Sequence, residues 1–185
     1  MATARLPLRI RFGMAVLALI AVLLVGGATA VLQVGAGALQ VTDGGEWSSS
    51  ATSRTWFGLE LTNDSSIPVV LRSVRPVVAS NARIVETRVL DHLAADGGIG
   101  IVSPPVRGRL GTAVDAAPQV DGFVVPAHSE NRYQLIVLVE RIRPGTAAVV
   151  RLTDVGFTAL GLDHGFRSHA VVCIRAPGAR DCPPA

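Results

Sequence analysis

The chain has no lysine: all 17 of its basic residues are arginines. A GC-rich coding bias accounts for this as well as any chemistry does, and no function is read into it. Methionine is almost as scarce. Met1 and Met14 both lie near the N-terminus, which leaves no weak axial ligand for a blue-copper site. Cysteine is limited to Cys173 and Cys182, nine positions apart at the far end of the chain. That spacing suits a disulfide loop in an oxidising compartment and is poor for a metal site. An excess of positive charge is missing from the body as well. Arg5, Arg9 and Arg11 account for the formal charge of +3, and the other 14 arginines match the 14 acidic residues. A neutral body has no electrostatic footprint for nucleic acid.

Motifs of catalysis are also lacking. No G-x-S-x-G or H-E-x-x-H occurs, and the glycine-rich Asp96-Gly97-Gly98-Ile99-Gly100 has neither a following Lys-Ser/Thr nor a following helical pattern, so it does not read as a phosphate loop. A catalytic triad is assembled in space and needs no motif. A secreted enzyme therefore stays a third reading, behind two non-catalytic ones.

What is present is one long apolar run. Residues 12–41 are 30 consecutive positions without a charge. A helix over about 12–34 would rise roughly 35 Å at about 1.5 Å per residue, enough to cross a hydrocarbon core of about 30 Å. With Arg5, Arg9 and Arg11 in front, the pattern predicts a single-pass transmembrane helix with a cytoplasmic N-terminus and the body outside the cell membrane. The competing expectation is a signal peptide cleaved near Ala30, with Ala28-Thr29-Ala30 as the small-residue site. The run continues through Leu32, Val34, Leu39 and Val41, and this extra length favours a retained anchor. The expected organisation is a basic flank at 1–11, an anchor at 12–41, a polar tether at 42–54 and an exported domain at 55–185. Trp47 in the tether is either an interfacial aromatic or a packing residue at the start of the domain.

The body reads as short strands separated by turn chemistry. Residues 55–62 alternate Trp56, Gly58 and Glu60 against Phe57, Leu59 and Leu61, and residues 67–74 follow after an Asn-Asp-Ser-Ser turn. Residues 82–90 read as a strand packing through Val85, Thr87 and Val89. The Gly- and Pro-rich stretch 91–119 reads as a long excursion with short strands near 99–102 and 106–110. Residues 120–125 form a further strand. Residues 133–141 give the clearest signal: Tyr133, Leu135, Val137 and Val139 line one face while Ile136 and Leu138 make the other apolar too, the mark of a strand buried on both sides or beneath the excursion. Residues 147–153 are expected to pair with it as a hairpin across Arg143-Pro144-Gly145-Thr146. A last strand covers 167–175. The sum is an all-β, antiparallel sandwich of seven to eight strands, immunoglobulin-like in architecture, with no helix after the anchor.

The candidate ligand sets are thin. His128, His164, His169 and Cys173 have no copper spacing, and His164 with His169 and Asp163 is a weak zinc set. Asp91, Asp96, Asp115 and Asp121 flank the excursion without the pattern of a calcium loop. No cofactor or metal is expected. The sequence therefore predicts a non-catalytic, membrane-anchored accessory or protein-interaction domain, with a lipid bilayer and an envelope protein as partners and with strand 133–141 and the excursion as its docking surface. The alternative is an exported small-ligand or metal-binding module.

Overall fold

The computed structural model of the chain describes residues 19–30, 35–41, 45–50, 53–179 and 181–182. In chain order these form helix α1 (19–30), strands β1 (Gln40–Val41), β2 (Glu46–Ser49), β3 (Arg54–Thr62), β4 (Val69–Ser80) and β5 (Ala82–Asp91), helix α2 (His92–Ala95), strand β6 (Ile101–Val102), helix α3 (Gly108–Ala116), and strands β7 (Val124–Val125), β8 (Tyr133–Arg141), β9 (Ala148–Ala159) and β10 (Leu162–Ile174). One sheet has the order β1-β3-β8-β5, with β6 also paired to β3, and the other the order β2-β10-β9-β4-β7.

The two sheets share one core, because each contributes an alternating apolar face. Phe57, Leu59 and Leu61 of β3 and Leu135, Val137 and Val139 of β8 meet Val69, Leu71, Val150, Val155, Phe157, Val172 and Ile174 of the other sheet. On β5 the phase changes midway: the register shifts between Ile84 and Glu86, so Ala82 and Ile84 face the core before the shift and Val89 after it. Val85 at the bulge is exposed, contrary to the uninterrupted alternation expected over 82–90. A bulge does this by adding one residue to one strand of the pair.

Two asparagines hold the corners where the chain changes sheet. Asn63, fully buried after β3, donates from Nδ2 to the carbonyls of Ile67, Val125 and Pro126 and accepts at Oδ1 from the Ser65 amide and hydroxyl. Asn81, between β4 and β5, adopts φ 52°. Its Nδ2 donates to Arg143 O and Thr146 Oγ1, while its Oδ1 accepts from Arg143 N. Short amide side chains tolerate the left-handed region and replace missing backbone partners. One asparagine at β4–β5 therefore also fixes the β8–β9 connection.

The expected fold class is corrected in four respects. The structure is of mixed helix and strand content: α3 occupies residues read as a short strand near 106–110, and α2 opens the same excursion. The sheets are not wholly antiparallel, since β2 runs parallel to β10. Residues 46–49, read as tether, are thus an edge strand. The expected hairpin of 133–141 with 147–153 does not form, because β8 pairs with β3 and β5 while β9 pairs with β10 and β4. Of the strand expected at 120–125, Val124 and Val125 alone are extended. These departures leave no basis for an immunoglobulin-like topology. Cys173 and Cys182 are bonded, with Cα atoms 6.3 Å apart.

The membrane reading is corrected too. Among the described residues no helix is long and apolar enough to cross a membrane. Among the described residues, 19–30 are helical, a rise of about 18 Å at about 1.5 Å each, and 35–36 are helical as well. The far end of the apolar run belongs to the body: Ala38, Leu39 and Val41 are buried in the main core, and β1 pairs with β3 through Gln40–Thr62 and Val41–Leu61. Ala38, Leu39 and Val41 are thus residues of the body and no argument for an anchor. The single-pass topology, the bilayer as partner and the location assigned to the body fall with it. Arg5, Arg9 and Arg11 lie outside the described residues, as do parts of the expected 12–34 helix.

Asn63→Ala leaves five hydrogen bonds unmade at a buried corner and is expected to cost about 2–4 kcal/mol in urea denaturation. A second test concerns Glu140. It lies between Arg54 of β3 and Arg83 of β5, with Nε–O distances of 2.8 and 2.6 Å. Hydrogen bonds from Arg54 and Arg83 hold its carboxyl below the ordinary glutamate range, and Arg167 does the same for Asp154. A depressed carboxylate contributes stability above its unfolded value, about 4.3 for glutamate, and loses it as pH falls through the folded value. Thermal melts of wild type and Glu140→Gln should therefore differ near pH 7 and converge in acid; parallel curves would remove Glu140 from the acid transition.

Candidate functional site

β3 and β8 pair with Trp56 opposite Leu138, Gly58 opposite Ile136 and Glu60 opposite Gln134. The face they turn away from the main core therefore runs from apolar at one end to polar at the other. The apolar end is covered by the 92–118 excursion. Trp56, Ile136 and Leu138 form a second core with Leu90, Ala95, Ile99, Val114 and Ala117, and Val106 and Leu110 pack against it. This overturns the expected docking surface, since β8 is central and covered on both faces.

The polar end meets backbone. Residues 97–100 pass directly over Gly58, whose amide donates to Gly100 O at 3.1 Å. A Cβ at Gly58 would lie 2.3 Å from Ile99 O and 2.4 Å from Gln134 Cδ, so the loop and strand approach only because no side chain stands between them. Gln134 closes the contact. Its Oε1 accepts from Ile99 N at 2.7 Å, and its Nε2 donates to Ile99 O at 2.8 Å and to Glu60 Oε1 at 3.0 Å. The carboxamide thus anchors the loop and fixes the glutamate with the same atoms.

Two more elements complete the site. Asp91 caps α2, accepting from Leu93 N at 2.9 Å and pairing with Arg132 at 3.1 Å. Burial raises the Asp91 carboxyl, but the Arg132 hydrogen bond and the Leu93 amide outweigh it and leave it below its ordinary range. His92, next in sequence, donates its amide to Arg132 O at 2.9 Å, and its Nε2 comes 3.4 Å from Glu60 Oε2. Trp47 arrives from the other sheet: β2 pairs with β10 at Trp47–Val172. Its six-membered ring lies against Gly100, where a Cβ would meet Cζ3 at 2.9 Å.

Trp47, Glu60, His92 and Gln134, with Gly58 and Gly100, surround a cavity of about 310 Å³. Trp47 Nε1, Glu60 Oε2 and His92 Nε2 are buried atoms with no hydrogen-bond partner. Glu60 Oε2 and His92 Nε2 fall within ion-pair distance but lack hydrogen-bond geometry. Their side chains remain 32% and 21% exposed, so both stand at the boundary of the interior with the cavity. Among the described residues no Ser, Cys or Arg lines it. The arrangement offers one carboxylate, one imidazole nitrogen and one indole N–H.

The candidates taken from the sequence do not meet here. Cys173 is committed to the disulfide. His128 sits in an exposed turn with φ 53°, His164 stacks on Phe157 with ring centroids 5.5 Å apart, and His169 is on an exposed position of β10. Asp163 accepts from Thr158 Oγ1 at 3.0 Å. Asp96 pairs with Arg109 at 3.4 Å. Among the described residues, no three His, Cys, Asp or Glu side chains gather as metal ligands do. Glu60, His92 and Gln134 were not singled out by sequence reasoning. The available signal was Glu60 on the same strand face as Trp56 and Gly58, but its partners depend on register and loop path.

No family model matches the chain, and no curated protein does. Among solved structures it is similar to the crystal structure of yeast GGA1_GAE domain-P21, with 10% identity over 70% of this chain and 82% of that chain and a TM-score of 0.32. So slight a likeness assigns neither fold nor function.

Gly58→Ala tests the frame of the site. The added methyl meets a backbone carbonyl and the Gln134 carboxamide, so the variant should lose about 1–3 kcal/mol by urea denaturation and faster amide exchange should appear at Ile99. Unchanged protection at Ile99 would show that Gln134 does not hold the loop.

Proposed function

We propose that this chain is a small-ligand-binding module without catalytic activity, its ligand held in the cavity between Trp47, Glu60, His92 and Gln134. The observation that carries the reading is one cavity lined by three side chains from separate elements, each with a buried polar atom that makes no hydrogen bond, Glu60 Oε2 and His92 Nε2 facing each other at 3.4 Å. Buried polar groups are almost always hydrogen-bonded, and leaving one unsatisfied costs about 1–3 kcal/mol. Three around one hollow are more than packing explains, whereas a polar ligand would supply the missing partners. The volume of about 310 Å³ is near the low end of small-molecule sites. At about 30 Å³ per water-sized group it holds about ten non-hydrogen atoms.

Binding in place of catalysis is supported by the described lining residues, none of which is a nucleophile of the serine, cysteine or lysine kind. Among the described residues no third His, Cys, Asp or Glu joins Glu60 and His92 as a metal ligand. This reading replaces the docking domain expected from the sequence.

Thermal melts of the full chain against small organic cations, anions and neutral polyols test it. At ten times its dissociation constant a ligand adds about 1.4 kcal/mol, which raises Tm by about 3–5 °C for a chain of this size. Gly98→Val, which places a side chain beside His92 and Gln134, should abolish that rise. A panel in which no class raises Tm, or in which Gly98→Val keeps the rise, would overturn the assignment.

A further inference from the structure

We propose that the ligand is a small organic cation, a primary ammonium that also carries a hydroxyl or carbonyl oxygen. The inference rests on the reading of the Glu60–His92–Trp47 cavity as a ligand site and adds the chemistry of its occupant.

Charge decides the first half. Among the described lining residues Glu60 is the one carboxylate, with no arginine beside it and His92 as its nearest basic group. Glu140, Asp91 and Asp154, by contrast, are each paired with arginine. Glu60 Oε1 is already occupied by Gln134 at 3.0 Å, which holds the carboxylate in place and leaves Oε2 as its open acceptor. His92 Nε2, 3.4 Å away, is a second acceptor in the tautomer protonated at Nδ1. An ammonium has three donors and no acceptor. It can bridge both atoms and neutralise the carboxylate in one step. An anion would meet an unscreened like charge in a partly desolvated place.

Trp47 decides the second half. Trp47 lines the cavity and its indole Nε1–H, a donor only, makes no hydrogen bond, so a ligand that reaches it must carry an acceptor. The ammonium itself has none. A hydroxyl or carbonyl on the same small molecule satisfies the indole, and the indole ring adds a surface that favours cations. Glu60, His92 and Trp47 come from β3, α2 and β2, so three separate parts of the fold contribute one recognition element each.

The two indole N–H resonances of ¹⁵N-labelled full-length chain provide the test, because Trp56 is buried in the second core and serves as an internal reference. Methylammonium, ethanolamine, acetate and ethylene glycol are titrated separately. Ethanolamine should shift the Trp47 resonance saturably and bind more tightly than methylammonium, with no saturable shift from acetate. Glu60→Gln, which keeps the shape of the side chain, should weaken both amines about tenfold or more. Trp47→Phe, followed through the Gly98 and Gly100 amides, should weaken ethanolamine about fivefold and methylammonium by clearly less. Tighter binding of acetate or ethylene glycol than of ethanolamine, or amine affinities unaltered by Glu60→Gln, would overturn the cationic assignment while leaving the cavity a ligand site. If none of the four shifts Trp47 and the wider melting panel also finds nothing, both readings fail.

Discussion

Burial of β8 on both faces is the constraint from which the rest of the structure follows. Every residue from Tyr133 to Val139 is buried, and a strand with two apolar faces needs two covering layers. The second sheet supplies one and the 92–118 excursion the other. The paired strands β3 and β5 share the requirement, which is why Trp56 and Leu90 point into the second core while Phe57 and Val89 point into the first. What a composition rich in Gly and Pro suggests to be loop is therefore a layer of the domain. Its helix α3 contributes Val114 and its turn contributes Ile99.

The apolar run at the N-terminus illustrates how hydropathy alone misleads. A window of uncharged residues does not distinguish a span in lipid from a segment that ends as a core strand, because both remove apolar side chains from water at similar gain per area. The distinguishing features are Ala38, Leu39 and Val41, which are wholly or almost wholly buried beside β3. They were counted as added length when they were in fact the first residues of the body. The disulfide, by contrast, is present as the spacing implied for an oxidising compartment, since a nine-residue separation permits closure wherever the strand end and the tail lie near each other.

Patterning of single strands was legible, and pairing was not. The two faces of 55–62 and of 133–141 appear in the structure as the alternation implies. The partner of 133–141 was misjudged because a short Pro-Gly connection fits a hairpin and a sheet crossing equally well. Asn81 decides between them by binding both ends of that connection, and no local pattern announces a contact across 62 residues. The candidate site was hidden for the same reason. Glu60, His92, Gln134 and Trp47 lie on four elements, and each is unremarkable in its own window. Only the β3–β8 register sets Glu60 against Gln134.

Why the cavity opens at this end of the sheet is a matter of side-chain size. At the Trp56–Leu138 end, large apolar groups on both strands demand helix α3 as a lid. At the Glu60–Gln134 end a helix would have to bury a carboxylate, at a cost of several kcal/mol unless it were paired. Gly58 resolves the conflict by admitting the Ile99–Gly100 backbone, whose amide and carbonyl bond Gln134 and leave room beyond. The covering layer thus stops where the strand face turns polar, and Gln134 is the residue that both ends it and holds Glu60 at its edge. Stability of the loop and placement of the carboxylate are consequently one property, and under the proposed reading the recognition group is ordered before a ligand arrives, so that little binding energy would go into arranging it.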